Sequence, residues 1–266
     1  MSTISKVKQC LKTWQNKLWQ FLKKKFCREV LTEKQFWLAY KAGRKNFKFT
    51  RLLNVHLGSI RLKHLNLQRA DLRNCYFPKS LDLAHLNLTG VILSGIDLSD
   101  RNLQGVILTK AKLIHVNLAG ANLDRANLSR ADLSQSNLEK ASLSKANLAK
   151  AKFNRVNLYG ADLSGAQLNK VQLKGANLSE TALESANLSK ANLRQANLTM
   201  ANLYNANLSN TNLSGANCTN ADFFGSSLHQ AKRVGITLSG ARLPIGMSHQ
   251  WTDNVERSNL FAFFSN

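Results

Sequence analysis

The stretch Ala121-Asn122-Leu123, Ala126-Asn127-Leu128, Ala131-Asp132-Leu133, continuing to Ala206-Asn207-Leu208 and Ala216-Asn217-Cys218, decides how the chain folds. Leucine returns at every fifth position, with Ala two residues before it and Asn or Asp just before it. Neither common secondary structure accommodates that period. In an α-helix, five residues leave each Leu about 140° from the last, so the leucines smear around the cylinder. In a flat strand, an odd spacing sends successive leucines to opposite faces. A chain that turns by about 90° in every five residues keeps them all inside. Each pentapeptide is then one side of a square coil, and coils stack like parallel strands about 4.8 Å apart. Ala suits the narrow interior. Asn or Asp tolerates tight backbone geometry and bonds its own main chain.

Working outward, the repeat begins before its regular part. Phe47, Leu52, Leu57, Leu62, Leu67, Leu72 and Phe77 hold central positions, and Val55, Ile60, Leu65, Ala70 and Cys75 hold inward sites two residues earlier. The phase slips by one residue near Pro78-Lys79-Ser80, then runs unbroken from Leu83 to Leu243. Of those 33 later centres, 29 are Leu; the exceptions are Phe153, Cys218, Phe223 and Arg233. Proline cannot donate a ladder hydrogen bond, so a small bulge is expected at Pro78. Larger inward residues at Leu81, Leu86, Val91, Ile96 and Val106 predict a wider interior near the N-terminal end. Arg101 holds a nominally inward site beside Asp100. An unpaired buried guanidinium is costly, so a local deformation that carries it to solvent or to a carboxylate is expected.

These residues resemble the pentapeptide repeat family, whose motif is A(D/N)Lxx. The resemblance covers about three quarters of the chain and implies an all-β solenoid, a right-handed quadrilateral β-helix with four repeats per coil. Forty repeats then make about ten coils and a rod of roughly 50 Å. Handedness and the count of four are what the resemblance implies; the period supports the solenoid. Three regions are expected: 1–44, a basic α-helical N-terminal segment and cap; 45–243, the β-helix; and 244–266, a C-terminal cap or tail.

The N-terminal segment differs in kind. Val7, Cys10, Leu11, Trp14, Leu18, Phe21 and Leu22 recur at helical spacing among lysines, which predicts a basic amphipathic helix. Residues 1–51 carry 14 Lys and Arg against two acids, about half of the net charge of +22 in a fifth of the 266 residues. Thr32 and Gln35 stand at capping-box spacing, so a second helix is expected from about Glu33 to Ala42, with Gly43 as its stop. Phe36, Trp37 and Tyr40 suit a cap on an open coil end, which would otherwise expose apolar residues and unpaired backbone. For residues 4–28, a solvated packed helix and a partner-binding helix are both open. Lys12, Trp14, Lys17, Trp19, Phe21, Lys23, Lys24 and Lys25 are the candidate membrane or partner contacts. Tryptophan and Phe favour an anionic membrane surface; a transit peptide is a lesser alternative.

At the other end, Pro244 and Gly246 mark a turn, and residues 247–266 hold Met247, Trp251, Val255, Leu260, Phe261, Phe263 and Phe264. Such apolar content is expected to cap the last coil. The alternative is homodimerisation through this end, which the resemblance also implies. The Leu243-Pro244-x-Gly246 exit loosely resembles bacterial members of the family.

No catalytic constellation is visible: the acids are scattered, and there is no phosphate-binding Gly loop or GxSxG. Enzymatic activity, a cofactor and a metal are therefore not expected. His64 and His85 would stand on one face, but two surface histidines lack the third and fourth ligands of a zinc site. Cys10, Cys27, Cys75 and Cys218 show no ligand spacing and read as reduced thiols of a cytosolic protein. No apolar run reaches the ~18 residues of a membrane span, and no secretory leader is expected. The protein is expected in the cytoplasm, with peripheral membrane attachment as an option.

Charge is the more informative signal. Lys and Arg outnumber Asp and Glu by 37 to 15, which predicts attraction to an acidic protein, nucleic acid or an anionic membrane. Lys110, Arg130, Lys150, Lys170 and Lys190 recur every 20 residues at the last position of a repeat. With four repeats per coil they form one vertical cationic column, with Arg125 and Lys145 on the adjoining face. The column is either a solvated, solubilising surface or an anion-binding stripe. Some family members resemble DNA in shape and charge and act on type II topoisomerases, conferring quinolone resistance. That mimicry needs an acidic surface, so the charge of this chain disfavours it. Direct phosphate binding would be its electrostatic opposite; no aromatic residue interrupts the column, so base stacking is not expected. The reading favoured by the sequence is a non-catalytic scaffold for a protein partner. The alternative is a nucleic-acid-binding or topoisomerase-associated protein using the basic stripe.

Overall fold

The computed structural model describes residues 28–58 and 60–245; the basic helix expected over residues 4–28 and the tail beyond Ile245 lie outside the described residues, apart from Arg28. Strand β1, Val30–Thr32, leads into helix α1, Glu33–Lys41. The helix starts where the capping box places it: Gln35 N–H donates to Thr32 Oγ1 at 3.5 Å, and Thr32 N–H donates to Gln35 Oε1 at 3.0 Å. It stops at Ala42, and Gly43 follows with φ of 89°. Strand β2, Arg51–Leu53, pairs in parallel with β1, Val30 opposite Arg51. The α1 side chain Phe36 is buried, with its ring 4.8 Å from that of Phe47 at the foot of the leucine stack.

From Asn87 onward, parallel bridges join each pentapeptide to the one 20 residues later, from Asn87–Ile107 to Asp222–Arg242. Four pentapeptides therefore separate stacked neighbours. The corner that makes this closure has a simple backbone cause. Every fifth residue from His85 to Gly240 sits in the left-handed region, with φ between 54° and 77°. The residue after it donates back to the central Leu carbonyl, as Ala126 N–H does to Leu123 at 2.9 Å. The Asn or Asp side chain braces the corner from the other side: Asn122 Oδ1 accepts from Asp124 N–H at 3.0 Å, and Asp162 Oδ1 from Ser164 N–H at 2.8 Å. Between corners, the ladder is closed by bonds such as Leu123 N–H to Ser142 O at 2.6 Å and Asn122 N–H to Arg101 O at 2.8 Å.

Inside, Leu123, Leu143, Leu163 and Leu183 are each 0% exposed and form one sheltered file. The alanines between files are equally buried. At most polar inward sites the hydroxyl finds a carbonyl: Ser136 Oγ donates to Leu113 O at 2.7 Å and Thr181 Oγ1 to Leu158 O at 3.0 Å, while Ser226 Oγ is buried with no hydrogen-bond partner among the described residues. Cys75 and Cys218 are free and buried, and burial pushes each thiol up to about 12.

The phase slip is larger than the small bulge expected. Asp71 pairs with Ile92, 21 residues on, but the corresponding pairs Asn66–Asn87 and Tyr76–Asp97 do not form among the described bridges. Beneath the slip the chain makes a short 3-10 turn, Leu62–His64. On the face that stays closed, Asp71 is gripped by Arg73 at 2.8 Å, Arg28 at 3.6 Å and Arg51 at 3.8 Å. Burial raises its pKa, but the Arg73 hydrogen bonds and the neighbouring guanidinium charges hold it below the ordinary carboxylate value.

Arg101 corrects the sequence expectation. It reaches neither solvent nor a carboxylate; it is buried, and its guanidinium donates to the carbonyls of Phe77 and Pro78 one coil below. Pro78 O also accepts from Leu81 N–H at 3.0 Å, whereas Phe77 O has no backbone donor among the described residues, so the guanidinium serves the Phe77 carbonyl. The charge remains hydrogen-bonded, which is what makes its burial tolerable.

Two stability outcomes follow. Leu143→Ala in the middle of the file lowers unfolding free energy by about 2–5 kcal/mol in urea denaturation. Arg101→Met, which leaves the Phe77 carbonyl without a donor among the described residues, lowers it by about 1–3 kcal/mol; a gain in stability would show that the guanidinium is not the staple of the slip.

Candidate anion-binding face

The left-handed corner residue is the one whose side chain projects furthest from the core, and the corners stack. Lys110 N–H donates to Ser129 O at 3.0 Å, Arg130 N–H to Ala149 O at 3.0 Å, Lys150 N–H to Asn169 O at 3.0 Å and Lys170 N–H to Ser189 O at 2.9 Å. The same bond from Lys190 to Ser209 O, at 2.9 Å, places the fifth cation above the fourth. All five side chains are exposed, and all five residues have φ of 59–61°. Among the described residues none of them forms a salt bridge. The structure thus brings together the column that the 20-residue spacing predicts.

Arg125 and Lys145 occupy the neighbouring corner, in a file that runs Gly105, Arg125, Lys145, Gly165 through the bonds of Gly105 to Asp124 O, Arg125 to Ser144 O and Lys145 to Ser164 O. Glycine on either side makes this second file short. The first has a member that the spacing hides. Gly90 N–H donates to Thr109 O and Arg69 N–H to Thr89 O, so Arg69 stands at the foot of the same file. It is 21 residues from Gly90 because of the slip, which is why a strict 20-residue count misses it. Its guanidinium lies 5.3 Å from the centre of the Phe49 ring.

The opposite face solves stacking differently. Asn157 Nδ2 donates to Asn137 Oδ1 at 3.0 Å, Asn177 to Asn157 at 3.0 Å and Asn197 to Asn177 at 3.3 Å. At the foot Asn117 donates to Asp97 Oδ1 at 2.9 Å. The Ser99 backbone N–H, the Ser99 hydroxyl and Asn117 hold the Asp97 carboxyl below its usual range. Neutral amides satisfy one another in that ladder. The Lys110–Lys190 column has no such internal partner, and unit charges 4.8 Å apart in bulk water repel by about 1 kcal/mol before screening.

Among the described residues there is no group of three or more His, Cys, Asp or Glu placed to hold a metal. His64 lies in the 3-10 turn and His85 at a left-handed corner. The candidate membrane-facing residues Lys12, Trp14, Lys17, Trp19, Phe21, Lys23, Lys24 and Lys25 lie outside the described residues. No described helix is long and apolar enough to cross a membrane.

Comparison with known proteins agrees with the repeat geometry. The family model of pentapeptide repeats matches in eight copies over residues 56–243. The chain belongs to the pentapeptide repeat family. Among solved structures it is similar to HetL, a pentapeptide repeat protein involved in heterocyst differentiation regulation from the cyanobacterium Nostoc sp. strain PCC 7120. The identity there is 30%, over 81% of this chain and 97% of that one, with a TM-score of 0.42. It is also similar to QnrB1, a plasmid-mediated fluoroquinolone resistance protein, at 21% identity over 67% of this chain and 96% of that one, TM-score 0.32. A thylakoid-lumen pentapeptide repeat protein of Arabidopsis thaliana matches at 28% identity over 53% of this chain and 70% of its own, TM-score 0.20. No curated protein matches.

The unpaired column predicts a salt effect opposite in sign to that of an ion-paired surface. Replacing Lys150 and Lys170 together by Gln raises the melting temperature at low ionic strength, and the difference shrinks as NaCl is taken to about 1 M, where the screening length is about 3 Å. Thermal melts of both proteins across a salt series check this.

Proposed function

We propose that this chain is a non-catalytic scaffold that presents a rigid cationic edge to an acidic protein partner. The supporting observation is the file Lys110, Arg130, Lys150, Lys170, Lys190: five exposed cations held by the same left-handed backbone geometry and forming no salt bridge among the described residues. A rod whose interior is filled by Leu and Ala has only its faces to offer. In this reading residues 45–243 form a β-helix of about ten coils, residues 30–44 close one end and residues 244–266 close the other. Homodimerisation through that second end is the alternative use of the tail. The basic segment 4–28 tethers the rod to an anionic membrane surface, and the protein works in the cytoplasm or at the membrane periphery. No cofactor or metal takes part.

The second reading, binding of nucleic-acid phosphates, draws on the same column, since a run of unpaired Lys and Arg attracts any polyanion. The two separate in one experiment. The double charge reversal Lys150→Glu and Lys170→Glu weakens binding of the native protein partner, recovered by crosslinking from the host, by at least tenfold. Binding to heparin and duplex DNA is measured alongside across a salt series. Specific loss of the protein partner supports the scaffold; equal loss of DNA binding with a steep salt slope supports nucleic acid. Unchanged affinity for all three would remove the column from the function.

A further inference from the structure

The phase slip does more than interrupt the count: it leaves a backbone edge open on one face of the rod. In the regular ladder, residue j donates to the carbonyl before its lower neighbour and accepts from the N–H after it. Asn66 does both with the coil beneath, donating to Lys45 O and accepting from Phe47 N–H, each at 2.9 Å. One coil higher, the equivalent bonds would join Asn87 N–H to Leu65 O and Leu67 N–H to Asn87 O. Neither is formed, and these four backbone groups have no other hydrogen-bond partner within the described chain. Neighbouring groups on both rims are paired: Leu65 N–H donates to Leu62 O at 2.9 Å on the lower rim, and Leu88 N–H to Ile107 O at 2.8 Å and His85 N–H to Gln104 O at 2.9 Å on the upper.

Other faces of the slip are shut by different means. One keeps its bridge, Asp71 to Ile92. Another is closed by the Arg101 guanidinium on Phe77 and Pro78. Near a third corner Gly58 and Pro78 lie in contact, close enough that a Cβ on the glycine would stand 3.2 Å from the proline ring. The face between Leu62–Gln68 and His85–Leu88 instead holds a cleft of about 500 Å³, within the ~300–1,000 Å³ of ligand clefts. Its floor is leucine: Leu62, Leu67, Leu86 and Leu88. Its rim carries His85 and Lys63, whose ammonium is already paired with Asp82 at 3.4 Å.

From this we infer that the cleft is a strand-acceptor site, which takes an extended, apolar peptide segment of a protein partner by backbone pairing with Leu65, Leu67 and Asn87. The inference rests on the protein-binding reading above and adds a second site to it. Unpaired main-chain donors and acceptors on two facing rims give affinity to any extended segment, whatever its sequence. The leucine floor selects an apolar residue at alternate positions, because side chains of a strand alternate.

The test reads the edge directly. In the full-length chain, amide exchange at Leu67 and Asn87 is expected to be at least 100-fold faster than at Asn66 and Leu88. A displayed library of random eight-residue peptides is then selected on the full-length chain. The selected peptides are expected to carry apolar residues at alternate positions and to protect both amides. They are expected to lose at least tenfold in affinity when N-methylated at alternate positions, and equally against Gln68→Trp, which fills the cleft. The double variant Lys150→Glu and Lys170→Glu keeps their affinity, so a failed column and a failed cleft are told apart. Slow exchange at Leu67 and Asn87 in the free chain overturns the inference. So does a selection that yields no peptide, or peptides that bind the filled-cleft variant unchanged.

Discussion

A left-handed backbone corner at every fifth residue is the constraint on which this structure depends. Non-glycine residues adopt that region at a cost of about 1–2 kcal/mol, yet here Lys, Arg, Gln, Glu, Ser, Met and Asn accept it repeatedly. The compensation is collective. Each corner is followed by a turn bond to the central Leu carbonyl, and many are braced by an Asn or Asp side chain. Each also allows the next Leu to enter the interior, where full burial contributes about 1.5–3 kcal/mol. The exposed residue type at the corner is therefore nearly free to vary, and its side chain is fixed in place by a core it never touches. That decoupling is what lets a five-residue repeat carry a surface pattern of its own.

Much of this was legible in the sequence because the period is so regular. The leucine file, the Thr32–Gln35 capping box and the helix from Glu33 follow from spacing, and the stacking of Lys110 through Lys190 follows from spacing together with the four repeats per coil that the family resemblance implies; each is found. What the sequence concealed lies at the slip. Arg101 looked misplaced at an inward site because its partners, the carbonyls of Phe77 and Pro78, are backbone groups 23 and 24 residues away. Those partners are main-chain groups, which no side-chain pattern records. Arg69 escaped the column for the same reason: one inserted residue changed 20 to 21. The open edge between Leu65–Leu67 and Asn87 is likewise a property of main-chain pairing, and both segments read as ordinary repeats.

The two exposed features are complementary in physical kind. The column offers charge at a fixed rise, with little shape; the cleft offers main-chain pairing and an apolar floor, with little charge. A partner using both would be steered by the first and held by the second, since long-range electrostatics mainly raises association rates. The far face, with its amide ladder ending on Asp97, offers neither, which gives the rod a working side and a neutral side.

The most direct test of the stacked-corner geometry is a distance between spin labels at Lys110 and Lys190, four coils apart in the same file. Each is replaced by Cys in a chain whose Cys10 and Cys27 are changed to Ser; Cys75 and Cys218 are buried with thiols pushed up to about 12, so they stay unlabelled. The structure predicts one narrow distribution centred near 20 Å, four strand spacings of about 4.8 Å. A broad distribution, or one centred beyond about 35 Å, is incompatible with corners stacked every 20 residues at that spacing.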